Sequence, residues 1–133
     1  MSPVLKRLML ATDIGLLGYW AATALAALGL VNLPPEWLYS DYHNAQTVAW
    51  NWSFLPLDVM LSAFGLASVR LAGHGNAGWQ RLALVSLALT SCAGLMAVSF
   101  WAIRGEFDPA WWAVNLFLLM WPLPYLAGGL RAQ

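Results

Sequence analysis

Trp50-Asn51-Trp52-Ser53-Phe54-Leu55-Pro56-Leu57-Asp58 opens an apolar run that continues to about Ala72. The run is long enough to cross a bilayer, and it contains a carboxylate. Counted from Thr47, Asp58 is about eleven residues in, which at about 1.5 Å per residue puts it roughly 16 Å below the surface where the run begins. That is close to the middle of a hydrocarbon layer about 30 Å thick. A carboxyl group left facing lipid at that depth costs at least about 2.5–3.5 kcal/mol, so Asp58 is expected to face other protein or water.

Composition agrees with a membrane setting. The chain has 133 residues, of which 61% are hydrophobic and 9% charged. Soluble domains carry about 25% charged residues, so this chain has too few to cover a water-facing surface. Its length suits a single transmembrane domain. The formal net charge is zero and no basic run occurs, which argues against a nucleic-acid partner. The lone Cys92 has no internal disulfide partner and reads as a small packing residue. No nucleophile elbow, phosphate loop, haem-attachment motif or Cys/His metal spacing is found, so neither a cofactor nor a metal is expected. His43, two residues after Asp41, reads as a loop histidine.

Working outward, three breaks divide the chain into four spans. Helices are expected at about 8–31, 47–72, 79–103 and 109–130, giving an all-α integral membrane four-helix bundle. The first break, 32–46, carries Pro34-Pro35, which stops a helix. The second, Gly73-His74-Gly75-Asn76-Ala77-Gly78, suits a tight antiparallel turn. The third ends in Pro109, well placed in the first turn of a helix. The basic head before the first apolar run also fits a signal peptide, but the run is span-length, so it is read as the first transmembrane helix.

Four spans bring both termini to one side. Lys6, Arg7, Arg70, Arg81 and Arg131 fall on that side and Arg104 alone on the other, so both termini are expected to be cytoplasmic. Glu36, Asp41, Glu106 and Asp108 make the outer mouth acidic. Six of the nine tryptophans (Trp37, Trp50, Trp52, Trp101, Trp111 and Trp112) also border the outer loops. An aromatic belt accounts for such placement, and so does the rim of a pocket.

The interior is read from helical periodicity. On the second span Asn51, Leu55, Asp58, Ser62 and Gly65 share one stripe. On the first, Asp13 shares a stripe with Leu17 and Trp20 and lies shallow enough to be reached by inner water. On the third, Ser86, Thr90, Ala93 and Ala97 share a face, where small residues allow close approach and hydroxyls bond across. On the fourth, Asn115 lies one and a half turns below Pro109, and Pro122 and Pro124 should bend the inner half. Ser62, Ser86, Thr90, Asn51 and Asn115 all have a structural reading as interhelical hydrogen bonders. No Lys or Arg lies mid-span to neutralise Asp58. It should therefore be protonated and hydrogen-bonded, or ionised and facing a cation from outside the protein, with tryptophan faces adding cation–π attraction.

Thr12-Asp13-Ile14-Gly15 with Tyr19-Trp20, then Asp41-Tyr42-His43-Asn44 and the opening stretch Trp50 to Asp58, resemble the YvaD-like family of small bacterial four-helix membrane proteins. That resemblance implies the bacterial inner membrane and assigns no activity. Leu33-Pro34-Pro35-Glu36-Trp37-Leu38-Tyr39 followed by Asn44, with Pro124-Tyr125-Leu126, is similar to the emopamil-binding-protein and sigma-2-receptor superfamily. This second likeness implies binding of amphipathic amines or sterol isomerisation by paired carboxyls, with Asp13 and Asp58 as the pair. The histidine and glutamate arrangement of the isomerase members is not evident in this chain.

Three functions follow as expectations. The first is a pocket for a lipophilic, cationic or lipid molecule, with Asp58, Asn51, Trp50, Trp52, Ser62, Trp101, Asn115 and Glu36 around it. The second is an acid–base isomerase or cyclase acting on a sterol-like or isoprenoid lipid, with Asp58 donating and Asp13 or Glu36 accepting. The third is a non-catalytic accessory subunit, in a homodimer or with a larger membrane partner.

Overall fold

The structure is a computed structural model and describes residues 1–34, 37, 39 and 41–130. The described residues are helical, and α1 to α6 build four spans.

Helix α1 covers Pro3–Ala27. It starts earlier than the apolar run because Ser2 and Pro3 make a start signal: the Ser2 hydroxyl accepts from the Leu5 N–H at 3.3 Å. It stops before Gly29, whose φ of 71° ends the helix earlier than hydropathy alone predicts. The second span is two helices, α2 (Ala45–Trp52) and α3 (Leu55–Gly73). Asn44 caps α2 by accepting from the Gln46 and Thr47 N–H groups. Pro56 has no N–H to give the Trp52 carbonyl, so the chain turns at Ser53-Phe54 before resuming. The Ser53 hydroxyl donates to the Trp50 carbonyl at 2.6 Å across that turn.

Helix α4 (Trp79–Arg104) ends at Gly105, in the left-handed conformation. Asp108 then caps α5 (Pro109–Met120), its Oδ1 accepting from the Ala110 and Trp111 N–H groups at 3.0 Å each. Pro122 and Pro124 replace the expected bend by a break at Trp121-Pro122, after which α6 covers Leu123–Gly128. Ser91 on α4 donates to the Leu119 carbonyl at 3.0 Å, satisfying an acceptor just ahead of that break. The four spans are 25, 29, 26 and 20 residues long, each long and apolar enough to cross a membrane.

Packing runs in sequence: α1 on α3, α3 on α4, α4 on α5, with α6 also against α4. The outward surface is apolar. Ile14, Val59, Val85, Leu95, Met96 and Met120 are all exposed, as a lipid-facing surface requires. Cys92 faces the same way and is not packed inside.

Inside, the expected face of α4 is buried in full: Ser86, Thr90, Ala93 and Ala97. Its hydroxyls behave differently from the expected interhelical glue. Thr90 donates to Ser86's carbonyl on its own helix, and Ser91 makes the crossing bond.

The start of α1 and the end of α6 with Leu130 meet at the end that holds the α3–α4 turn. There Leu5, Met9, Ala83, Leu87 and Leu130 form an apolar cluster, with Trp121 and Tyr125 packed against it. At the opposite end Arg104 ties three segments together. It pairs with Asp41 at 2.8 Å and Glu106 at 2.7 Å and donates to the Thr47 hydroxyl at 2.8 Å. Its guanidinium also lies 5.6 Å from the ring centres of Phe100 and Trp101.

Candidate functional site

A cavity of about 600 Å³ lies between these two ends, bounded by α1, the α2–α3 span, α4 and α5. A volume of 300–1,000 Å³ with apolar walls and a few polar groups is typical of a small-molecule site. The walls here are mostly aromatic and aliphatic, with Asp58, Asn51, Asn115 and Thr12 as polar exceptions. Among the described residues no Lys, Arg or His lines it.

Asp58 reaches this cavity because it lies one turn past the Pro56 break, on the buried face of α3. It is 5% exposed. The indole N–H of Trp20 donates to its Oδ2 at 2.8 Å, which fixes the carboxyl from the α1 side. Its Oδ1 is buried and has no partner among the described residues. An unsatisfied buried polar atom costs about 1–3 kcal/mol, so this oxygen is a standing demand for a partner.

The other polar groups are tied more locally. Tyr19 donates its hydroxyl to Asn51 Oδ1 at 3.1 Å, leaving Asn51 Nδ2 buried and unpaired. Asn115 donates to the Trp111 carbonyl of its own helix at 2.8 Å. The Thr12 hydroxyl is buried and unpaired.

Aromatic rings enclose the outer half. Trp50 stacks on Phe100 with centres 3.8 Å apart and meets Trp101 edge-on at 5.6 Å. Tyr19 and Tyr39 each meet Trp111 edge-on, at 5.8 and 6.1 Å.

A family model described as "Family of unknown function (DUF5360)" matches residues 5–133. This chain belongs to that family. The protein described as "Uncharacterized protein YvaD", from Bacillus subtilis (strain 168), is 40% identical over 122 residues. The match covers 92% of this chain and 88% of the relative. No solved structure matches the chain. The family match spans every residue that lines the cavity. The resemblance to YvaD-like proteins is carried by these matches, whereas the likeness to the emopamil-binding-protein superfamily stays with the residues quoted for it.

Of the residues singled out by sequence, Asp58, Asn51, Trp50, Trp101 and Asn115 come together on the cavity. Three do not. Trp52 is turned away from Asn51 by one helical step and packs against Trp20, centres 5.5 Å apart. Ser62 is fully buried on the α1–α3 seam, its hydroxyl 3.5 Å from the Asp13 carbonyl. Asp13 is 1% exposed, and a Cβ on Gly65 would overlap its carboxyl. Inner water therefore does not reach Asp13 as its position near the basic end suggested. Glu36 lies outside the described residues.

Sequence reasoning missed Trp20 as the partner of Asp58, and Tyr19 and Tyr39 as walls, whereas Trp111 was among the tryptophans read as a belt or a pocket rim. Trp20 had a signal: it shares the Asp13 stripe, and a buried indole N–H needs an acceptor.

Proposed function

We propose that this protein is a small membrane receptor for a lipophilic molecule, an amine or a lipid, held by its polar end at Asp58. The observation that carries the reading is Asp58, which lines an aromatic-walled cavity without any cation among the described residues and whose buried Oδ1 has no partner among them. Trp20 leaves that oxygen free while orienting the carboxyl, as a preorganised anchor requires. In the cell the bundle sits in the bacterial inner membrane with both termini cytoplasmic, as the basic residues on the terminal side argue.

The acid–base reading needs a second carboxyl on the cavity. Among the described residues Asp58 is the one carboxyl that lines it; Asp13 does not.

The test is thermal unfolding of the purified protein with long-chain alkylamines and bacterial phospholipids. At least one of these is expected to raise the wild-type midpoint. Asp58→Asn should remove that rise and still give a cooperative transition. A rise of the same size in Asp58→Asn would refute the anchor.

A further inference from the structure

The cavity has a roof and one side without close packing. The apolar cluster of Leu5, Met9, Leu87 and Leu130 lies toward the terminal end, beyond the lining residues. The cavity's outer end carries Tyr39 and Trp111, with the Arg104 ties to Asp41, Thr47 and Glu106 at the same end. Three of its walls are seams where neighbouring spans pack: α1 on α3, α3 on α4 and α4 on α5.

The fourth side, between α1 and α5, is different. These two helices meet through Tyr19 and Trp111 at the outer end, but they form no packed seam below it. One helical turn further in, Gly15 faces the level of Val114, and one turn beyond that Ala11 faces Phe117. All four line the cavity and are exposed, and with no packed seam between α1 and α5 this marks the side on which the cavity opens. The space beside Gly15 is open as well, since a Cβ placed there meets nothing within 4 Å. In a bundle whose outward surface is apolar, this opening faces hydrocarbon and not water.

We infer that the cavity is loaded from the side: a membrane-resident amphiphile enters from the hydrocarbon layer through the gap between α1 and α5, at the level of Gly15 and Val114. This rests on the proposal that the cavity binds a lipophilic molecule and adds its class and route. Such an occupant keeps its chain in an apolar environment throughout. Small residues on the α1 side keep the gap wide enough for a chain to pass.

The experiment uses the full chain in phosphatidylcholine vesicles that contain a phospholipid with a diazirine in its acyl chain. After irradiation, adducts are mapped by peptide mass. In the wild type, adducts are expected on Asp58 and Trp101 inside and on Leu95 and Met96 outside. Gly15→Leu fills the gap and should lose the inner adducts while keeping those on Leu95 and Met96. Gly18→Leu is the control. Gly18 also has open space beside its Cβ position but does not line the cavity, so both sets should persist.

Inner adducts that survive Gly15→Leu would overturn the route, as would a wild type labelled only outside. Asp58→Asn separates this inference from the one it rests on. It should lose ligand-induced stabilisation yet keep acyl-chain adducts on Trp101, because passage through the gap does not need the carboxylate.

Discussion

Gly94→Ala is expected to lower the stability of the folded protein by about 3 kcal/mol or more, the upper end of what overpacking costs. A Cβ at Gly94 would overlap the Asn115 carbonyl oxygen, the Leu119 nitrogen and the Leu118 carbonyl carbon. All are backbone atoms of α5, so no rotamer change relieves the contact. Relief requires α5 to move off α4. That movement would also stretch the Ser91 bond to Leu119 and shift the cavity wall that carries Asn115 and Leu118. Association in a bilayer depends on this close van der Waals fit, because lipid tails are as apolar as the helices themselves. Gly15→Ala is the matched comparison. Its Cβ meets nothing, and replacing a mid-helix glycine by alanine gains about 0.5–1 kcal/mol. The two alanines should therefore shift reversible unfolding in mixed micelles in opposite directions. Equal shifts would mean that α4 and α5 do not approach as described.

Gly65→Ala should have the second largest effect, and its cause can be isolated. The new methyl group lands on the Asp13 carboxyl, a short side chain with no exposed space to retreat into. A cost of about 2–3 kcal/mol is expected from overpacking at such a site. Because the obstacle is a side chain, removing it should remove most of the penalty. Asp13→Ala should make the Gly65→Ala change nearly neutral, so the pair departs from additivity by about 1–3 kcal/mol in the unfolding cycle. Strict additivity would show that Asp13 does not occupy the gap left by Gly65. The cycle also probes Asp13 apart from the cavity, since Asp13 packs on the α1–α3 seam behind it.

The spans were legible because they are written in long apolar runs separated by Pro, Gly and charged residues. The inward faces of the second span and of α4 were legible too: Asn51, Asp58 and Ser62 on one, and Ser86, Thr90, Ala93 and Ala97 on the other, are all buried. Helical periodicity sorts residues around a single helix, and here that was enough to turn Asp58 inward. It does not say which neighbour each face meets. Ser62 lies on the same stripe as Asp58, yet one turn further along α3 the facing surface is α1 and no longer the cavity. The Trp20–Asp58 bond joins residues 38 apart in sequence and depends on how α1 is rotated against α3. Pro122 and Pro124 announced a disturbance, whereas Pro56, so near the start of an apolar run, did not announce that the second span is two helices. The unpacked α1–α5 side was hidden for a similar reason. It follows from which pairs of helices form no packed seam, and no local pattern encodes that.

The central claim is that Asp58 holds a lipophilic guest within the bundle. Native mass spectrometry of the protein, released from its own membranes into mild detergent, tests it most directly. The wild type should carry a non-covalent adduct of lipophilic mass that Asp58→Asn lacks when prepared in the same way. A wild type that flies bare, or an adduct held equally by Asp58→Asn, would contradict it.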